Sequence, residues 1–518
     1  MNWKKFKVMP DKEKRNEAHY IVGLDLGCDS SGIAYYNMST AAPEAIDLSG
    51  GYGKPSIPTV MQYIAESKEW AFGEYAVLNR GAGTEFTLGN LVAQLGNFNY
   101  IDVDKRSLSV TSVLALFIKE ILGNVRHINP KAEIVGIVAT VPAYFSTQAQ
   151  DELMRSFKLA GYEKELIALV PDRECALARY YNSAPAQAHQ VLLIDFGARE
   201  LRGGLYQATT DGNITCLSSL FDNNVGAAKI DDEIVSFFED FVLKESSKEK
   251  PLLPAQVHHI KESVIAFSYQ HRDILFQKGI QEKPVKMYFN FCYPPFQQIV
   301  THADVSRLMR PYINKFENFI HDVLAKNIGR GNISLSDIDA VICVGGGFER
   351  QWTRLSLANI FSPHQLNFFK NAKMAICEGA CIVAARYLGL PEAGTNLSLI
   401  DTHQLNYDIG IFSNSEFIPL AERNAFWWQQ HTPRLVLVHK EIKESLELCI
   451  AKRTQTGDIE ELTIFNLGNL PARPKGATRL EFVINFDSDT SAKLHVQDCG
   501  FGDLFPRSDY HQEFNIAL

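Results

Sequence analysis

The 518-residue sequence has no excess of basic residues, because 51 Lys and Arg stand against 60 Asp and Glu for a formal charge of −9. This balance disfavours a protein dedicated to nucleic acid or to an anionic membrane surface. The sequence also has no run of the about 18 apolar residues that a membrane-spanning helix needs. Residues 1–19 are charged and lack the apolar centre of a signal peptide, so they are predicted to form a mobile tail. We therefore expect neither nucleic-acid binding nor membrane insertion.

The nine cysteines form no C-x-x-C pair, and most of them lie in apolar runs. A structural zinc site needs ligands at short spacings, and an odd number of cysteines in apolar runs is not typical of a disulfide framework. We therefore expect buried, reduced thiols in a cytoplasmic protein.

Residues 20–390 alternate short β-branched segments with longer amphipathic segments, which is typical of an α/β domain. The predicted strands are 20–26, 32–37, 134–141, 191–196, 202–207 and 340–344. The predicted helices are 108–122, 147–160, 173–182, 229–245, 303–326 and 374–388. Residues 391–400 combine turn formers with a short apolar segment, so they are predicted to be an interdomain linker.

Residues 401–518 have a different pattern, with strand-like runs and no long helical period. These runs are 434–440, 446–453, 461–467, 479–487 and 492–498. Within residues 480–486 every second residue is apolar, as in a strand with one buried face. The sequence therefore predicts an all-β domain after the linker.

A weak internal repeat places an Asp and a Gly at the end of two apolar strands, as Asp25 with Gly27 and as Asp195 with Gly197. A tight turn of this kind directs backbone N–H groups at an anion, and the Asp can hold a hydrated Mg²⁺. Two such hairpins facing each other would clamp the phosphates of a nucleotide. The alternative is that both Asp residues are only strand-end turn residues.

Several motifs in order along the chain resemble those of the DnaK-type seventy-kilodalton heat-shock chaperones. They are TVPAYF at 140–145, AG at 160–161, VPDRECALA at 170–178, VGGG at 344–347 and NLSLID at 396–401. The resemblance implies a two-lobed actin-like ATPase domain over 20–390, the linker, and a β-sandwich over 401–518 that grips apolar peptides. It also implies ATP or ADP with Mg²⁺, a protein or peptide client, and a possible co-chaperone. The family's helical lid would follow the last strand, so a chain that ends at Leu518 is expected to lack it and to hold clients loosely, or to hold one constitutive partner.

The resemblance also implies roles for single residues. The implied catalytic carboxylates are Asp25, Asp172 and Asp195, of which Asp25 and Asp195 would hold Mg²⁺ through water. The implied nucleotide-binding residues are Gly27, Cys28, Asp29, Gly197, Ala198, Arg199, Glu200, Arg202, Arg272, Gly345, Gly346 and Gly347. The implied interdomain-coupling residues are Pro142, Leu397, Leu399 and Asp401, and those of the peptide groove are Ile411 and Phe412.

The sequence departs from the family where the nucleotide would bind. Cys28 and Asp29 stand in place of two threonines, Glu200 in place of another threonine, and Arg202 in place of an aspartate. No lysine lies between residues 81 and 104, where the family keeps its catalytic lysine. We therefore expect that hydrolysis is weak or lost.

The charges of these replacements are large enough to affect binding as well. Two unit charges about 4 Å apart interact by about 4 kcal/mol at an effective dielectric of about 20. If Asp29 and Glu200 both faced a triphosphate, this repulsion would cancel much of a micromolar affinity, which is worth about 8 kcal/mol. Glu200 and Arg202 could equally form a structural ion pair that fills an empty cleft.

Three functions are consistent with the sequence. The first is a pseudo-ATPase of binding or adaptor type that engages a protein or peptide partner. The second is an active ATP-dependent chaperone in which Arg199 or Arg202 replaces the lysine. The third, a small-molecule kinase of the actin-like superfamily, would share the two hairpins but would not explain the TVPAYF segment, the linker or the β-rich tail.

Overall fold

A computed structural model of the chain divides into two compact units, Met1–Ile400 and Asp401–Leu518. The residues that the structure describes are 19–48, 54–79, 86–96, 99–142, 145, 147–183, 190–209, 213–222, 225–248, 251–280, 284–292, 295–325, 333–390, 393, 398–401, 405, 407–413, 416–423, 425, 433–443, 445–454, 457–488 and 491–517. The predicted tail therefore lies almost wholly outside the described residues.

The first unit mixes strands and helices, which confirms the predicted α/β class. Its strands are β1 (His19–Leu26), β2 (Ser30–Asn37), β3 (Ala42–Ala45), β4 (Ser56–Pro58), β5 (Val60–Ile64), β6 (Glu69–Phe72), β7 (Phe86–Gly89), β8 (Tyr100–Val103), β9 (Arg106–Ser109), β10 (Glu133–Val141), β11 (Leu166–Pro171), β12 (Gln190–Phe196), β13 (Leu201–Ala208), β14 (Asn213–Asp222), β15 (Val285–Phe289), β16 (Phe296–Val300), β17 (Ala340–Val344), β18 (Leu366–Phe368) and β19 (Ser398–Asp401). Its helices are α1 (Gly73–Leu78), α2 (Val110–Gly123), α3 (Val125–Ile128), α4 (Thr147–Ala160), α5 (Asp172–Ser183), α6 (Ala227–Ser246), α7 (Pro254–Ile280), α8 (His302–Ala325), α9 (Gln351–Ile360) and α10 (Ala375–Tyr387).

Two sheets of the first unit repeat one strand order. One runs β11-β10-β1-β2-β3, and the other runs β18-β17-β12-β13-β14 and continues to β19. In both, the strand that ends in the repeated Asp is parallel to its neighbour on one side and antiparallel to the following strand on the other. The predicted pair of hairpins is therefore confirmed as β1–β2 and β12–β13.

Helices α5 and α10 pack together with residues of both sheets in one apolar core. Glycine allows this close packing. A Cβ atom at Gly23 of β1 would collide with the backbone of α10, and one at Gly379 of α10 would collide with the Cys175 carbonyl of α5. Because α10 is held tightly against β1, the residues that precede it lie at the end of β1, next to the first hairpin.

The second unit contains the strands β20 (Asp408–Ser413), β21 (Glu416–Ala421), β22 (Arg434–Val438), β23 (Ser445–Arg453), β24 (Ile459–Gly468), β25 (Thr478–Ser488), β26 (Ser491–Asp498) and β27 (His511–Ala517). They form two antiparallel sheets, β21-β20-β23-β24 and β22-β25-β26-β27, whose inner faces share one apolar core. The alternating residues Leu480, Phe482 and Ile484 all lie in that core, as their period predicts. Among the described residues of the chain, no helix is both long and apolar enough to cross a membrane.

One ion pair is buried in the second unit. The Arg473 guanidinium donates to both carboxylate oxygens of Asp498 at 2.8 and 2.7 Å, and the two side chains are 5% and 0% exposed. The Gly500 N–H and the Ser508 hydroxyl also donate to Asp498. Burial opposes ionisation of Asp498, but these donors outweigh it and lower its pKa to about 2. The pair therefore joins the end of β26 to the loop that precedes β25.

Replacing Asp498 with Asn is expected to lower the free energy of unfolding by about 3–5 kcal/mol, because it leaves Arg473 buried without its carboxylate. The pKa of Asp498 is lower in the folded than in the unfolded state, where it is about 4. Its stabilisation is therefore complete above about pH 4 and is lost as the pH falls toward about 2. Chemical unfolding of the full chain at several pH values would show the wild type and the variant converging in acid.

The matched control is Lys493→Met, which removes a partly exposed ion pair with Glu513 at 3.6 Å in the same unit. We expect it to cost at most about 1 kcal/mol. Equal losses in both variants, or a constant difference between wild type and Asp498→Asn down to about pH 2, would contradict this account.

Candidate functional site

The two repeated hairpins open on a cavity of about 1230 Å³ within the first unit. The structure brings together here most of the residues that the sequence predicted to be catalytic or to bind a nucleotide, together with Pro142, which was predicted to couple the domains. They are Asp25, Gly27, Cys28, Asp29, Pro142, Asp172, Asp195, Gly197, Ala198, Arg199, Glu200, Arg202, Gly345, Gly346 and Gly347. Arg272 lies in α7, and its side chain is outside the described residues, as is Leu397. Leu399 and Asp401 lie in β19, and their side chains are not described either.

The turns of the hairpins are fixed by their own backbone groups. In the second hairpin the Gly197 N–H donates to the Glu200 carbonyl at 3.0 Å, and the carbonyls of Gly197 and Ala198 accept from the first residues of α6. In the first hairpin the Gly27 carbonyl accepts from the Thr59 hydroxyl at 2.8 Å. Carbonyl groups of both turns are thus engaged in hydrogen bonds within the chain.

A third loop, which begins at Gly345, packs directly against the second hairpin. Gly345 has a φ of +93°, and a Cβ atom there would lie 2.5 Å from Asp195 Oδ1. Only glycine has both the backbone freedom and the small size that this position requires. The loop thus brings its backbone to the Asp195 carboxylate.

Asp25, at the end of β1, is bound by two side chains of the protein. Lys373 Nζ lies 2.9 Å from Asp25 Oδ2, and the Thr140 hydroxyl donates to Asp25 Oδ1 at 2.8 Å. The Lys373 side chain is only 13% exposed. Burial by itself would lower the pKa of Lys373, but Asp25 and Asp195 outweigh it and raise the pKa, so the ammonium stays charged. Asp25 is therefore neutralised from within the chain.

Arg202, on β13, lies among three carboxylates. Its guanidinium contacts Asp172 through Nη1, Asp195 through Nη2 at 2.8 Å, and Glu200 through Nε at 3.2 Å. Asp172 is the first residue of α5 and also accepts from the backbone N–H of Arg173. The predicted Glu200–Arg202 ion pair is present, and it is part of this larger cluster.

One guanidinium does not balance three carboxylates, and the pKa of Asp195 reflects this. Burial raises its pKa, neighbouring Asp172 and Asp25 add to the rise, and Arg202 opposes it, with a resulting value of about 7. Asp195 is therefore easier to protonate than an ordinary aspartate.

The remaining hairpin residues have different environments. Burial, reinforced by Glu200, raises the pKa of Cys28 to about 11, so its thiol is neutral at physiological pH. Arg199 is exposed and lines the cavity, and it forms no ion pair with any residue that the structure describes. Of the two arginines in the second hairpin, only Arg199 has its charge available to a ligand.

The residues present do not fit the Mg²⁺ that the sequence predicted. The two carboxylates expected to hold it, Asp25 and Asp195, already bind Lys373 and Arg202. Within the described part of the chain, no group of three His, Cys, Asp or Glu side chains is arranged to hold a metal ion. Nine carboxylates and five basic side chains among the described residues line the cavity, an excess of negative charge that opposes a polyphosphate.

Lys373 was not predicted from the sequence. It is 348 residues from Asp25, so local spacing could not indicate the pair. The only signal is a single lysine between Ala372 and Met374, just before an apolar helix. A charged residue flanked by buried apolar residues is usually paired with another charge.

Comparison with known proteins finds that two parts of the chain match family models whose function is unknown. Residues 42–212 match the C-terminal part of a family of unknown function (DUF5716), and residues 404–518 match a domain of unknown function (DUF8552). The chain is also 22% identical to the chaperone protein DnaK of Thermosipho melanesiensis over 501 residues, which are 94% of this chain and 79% of the relative. It is 22% identical to the chaperone protein DnaK of Thermotoga maritima over 496 residues, with 93% and 79% covered. The chain is thus distantly similar to DnaK over most of its length.

Replacing Arg202 with Leu is expected to lower the free energy of unfolding of the first unit by about 3–5 kcal/mol, because it leaves three adjacent carboxylates without their cation. Chemical unfolding of the full chain would measure the loss. Adding Asp195→Asn to this variant should recover part of the stability, since it removes one of the unpaired carboxylates.

The control variant is Lys158→Met, which removes an exposed ion pair with Glu163. It is expected to cost at most about 1 kcal/mol. A loss in Arg202→Leu no larger than that of the control would show that the three carboxylates do not need the guanidinium.

Proposed function

We propose that this protein is a divergent DnaK-like chaperone or pseudo-chaperone that binds a protein or peptide partner, with nucleotide hydrolysis weak or lost. The observation that carries the proposal is the position of Arg202, which binds Asp172 and Asp195, two of the three carboxylates predicted to be catalytic. The similarity to DnaK along most of the chain supports the chaperone-like part.

The repeated sheets support the two-lobed actin-like arrangement that belongs to this proposal. Each sheet ends in one hairpin, the hairpins open on one cavity, and α5 and α10 pack with both sheets. The same features would suit a small-molecule kinase. The β-rich second unit and the extent of the similarity to DnaK favour the chaperone-like function.

Loss of hydrolysis follows from the charges at the hairpins. Phosphoryl transfer depends almost entirely on positioning and on electrostatic stabilisation of the transferring group. A carboxylate can position a water molecule or accept its proton only while its oxygens are accessible. Asp25 is bound by Lys373 and Thr140, and Asp172 is bound by Arg202 and a backbone N–H. In both residues each carboxylate oxygen already has a partner within the chain, which weakens them as bases and as ligands for water.

A row of apolar side chains on the second unit supports a peptide or protein partner. Phe417, Phe412, Cys449 and Ile464 lie opposite one another on the four adjacent strands β21, β20, β23 and β24. Successive side chains on a strand point to opposite faces, so the row is on the face away from the core residue Ile411. Ile464 is 60% exposed. Of the two predicted groove residues, Phe412 belongs to this row, whereas Ile411 is buried.

The proposal includes coupling between the units and a cytoplasmic location. Pro142 follows β10 and lines the cavity. Leu399 and Asp401 lie in β19, which pairs with β14 at the edge of the second sheet. With Leu397, these residues are the proposed coupling elements.

The nine cysteines are free thiols, which supports the proposed reducing, cytoplasmic compartment. A co-chaperone is a further proposed partner.

The second candidate is an active ATP-dependent chaperone, and the position of Arg199 favours it. Arg199 lines the cavity without an ion pair among the described residues, so it could contact phosphate. Arg202 could not take that role while it binds three carboxylates.

Phosphate release from ATP by the purified full chain is expected to stay at the rate of the Asp195→Ala variant, because the proposed function has no competent catalytic carboxylate. A DnaK-type chaperone assayed in parallel serves as the positive control. Turnover clearly above that of Asp195→Ala, and lost in Arg199→Ala, would favour the active chaperone over our proposal.

Replacing Ile464 with Glu is expected to weaken binding of a short, unstructured, leucine-rich peptide at least about tenfold, because it places a charge within the apolar row. Fluorescence anisotropy of a labelled peptide would measure this. The control is Leu435→Glu, at a 54% exposed position on the other sheet, which should leave the affinity unchanged. Equal effects of the two variants would show that the row is not the binding surface.

A further inference from the structure

We infer that Arg202 and Lys373 are built-in replacements for a divalent cation, so that the cavity of the first unit works without Mg²⁺. This inference rests on the proposed function, since it concerns the metal that the repeated hairpins and the resemblance to DnaK predict for this cavity. It goes beyond that function because it concerns how the site is held together and which ligands it can accept, rather than whether it hydrolyses them.

The two side chains supply the charge that a divalent ion would bring. A guanidinium and an ammonium together carry two positive charges, and they lie at 2.8 Å from Asp195 and 2.9 Å from Asp25. These are the two carboxylates at which the sequence predicted the metal, each near the end of the first strand of its hairpin. The protein's own cations therefore satisfy both predicted ligands.

The two cations also join the same parts of the unit that a bridging ion would join. Lys373 follows β18 of the second sheet and reaches Asp25 on β1 of the first. Arg202 lies on β13 of the second sheet and reaches Asp172, which follows β11 of the first. Each ion pair therefore connects the two sheets at the base of the cavity.

Neither cation can leave its place easily. Lys373 precedes α10, whose backbone is held against β1 by the close approach at Gly23, and its side chain is almost fully buried. Arg202 has three carboxylate contacts, so moving it would leave a cluster of like charges. To bind at Asp25 or Asp195, a metal ion would therefore have to displace a cationic side chain.

Titration of the full chain with Mn²⁺, followed by calorimetry and by the electron paramagnetic resonance of free Mn²⁺, tests the inference. The wild type is expected to show no saturable site below about 1 mM, the range of the weakest protein sites for hard cations. Its melting temperature should be the same in Mg²⁺ and in EDTA. A wild-type site of micromolar affinity, with or without ATP present, would overturn the inference.

The variant that tests the cause is Arg202→Leu combined with Lys373→Met, which frees all four carboxylates. It is expected to bind Mn²⁺ at least about tenfold more tightly than wild type, since the oxygen ligands are then available. The matched control is Lys54→Met, which removes a cavity-lining charge paired with Glu74 and should create no site. Binding by the double variant no tighter than by the control would contradict the inference.

If circular dichroism shows that the double variant is unfolded, Lys373→Met alone is titrated against Lys54→Met under the same expectation.

A failure of this inference can be distinguished from a failure of the proposed function. ATP turnover that persists in EDTA would end the proposal of lost hydrolysis and leave this inference standing. A tight wild-type Mn²⁺ site without ATP turnover would overturn this inference and leave the proposal of lost hydrolysis standing.

Discussion

The contact between Arg202 and its three carboxylates is the interaction on which the rest of the first unit depends. Asp172, Asp195 and Glu200 come from α5, β12 and the turn of the second hairpin, so one guanidinium fixes three elements at the base of the cavity. Without it, burial of three like charges would be unfavourable. With it, the pKa of Asp195 is still raised, first by burial and then by neighbouring Asp172 and Asp25.

The second internal cation depends on backbone packing rather than on a local motif. Gly23 and Gly379 let α10 approach β1 and α5 closely, and this approach brings Lys373 to Asp25. The same packing joins the two sheets into one core. The geometry of the site therefore depends on the packing of the core. Substitutions at these glycines should disturb the site indirectly, by moving α10.

The parts of the fold and of the site that depend on residues close in sequence could be predicted from the sequence. The hairpins β1–β2 and β12–β13 are marked by short apolar strands ending in Asp, and the pair of Glu200 with Arg202 lies within two positions of one strand. Helix α7 was not predicted, because apolar residues occur on several of its faces instead of forming one stripe. Lys373 was missed because its partner is distant in sequence, and only the tertiary packing of α10 brings the two together. That Glu200 and Arg202 belong to a four-residue cluster also could not be predicted, since Asp172 lies on α5 and only the fold brings it to Arg202.

A crystal structure of the full chain grown with Mg²⁺ and a non-hydrolysable ATP analogue would test the central claim most directly. Our account predicts that Lys373 stays within hydrogen-bond distance of Asp25 and Arg202 within hydrogen-bond distance of Asp195, with no octahedral metal density beside either carboxylate. A hydrated Mg²⁺ at Asp25 and Asp195, with either cationic side chain displaced, would contradict it.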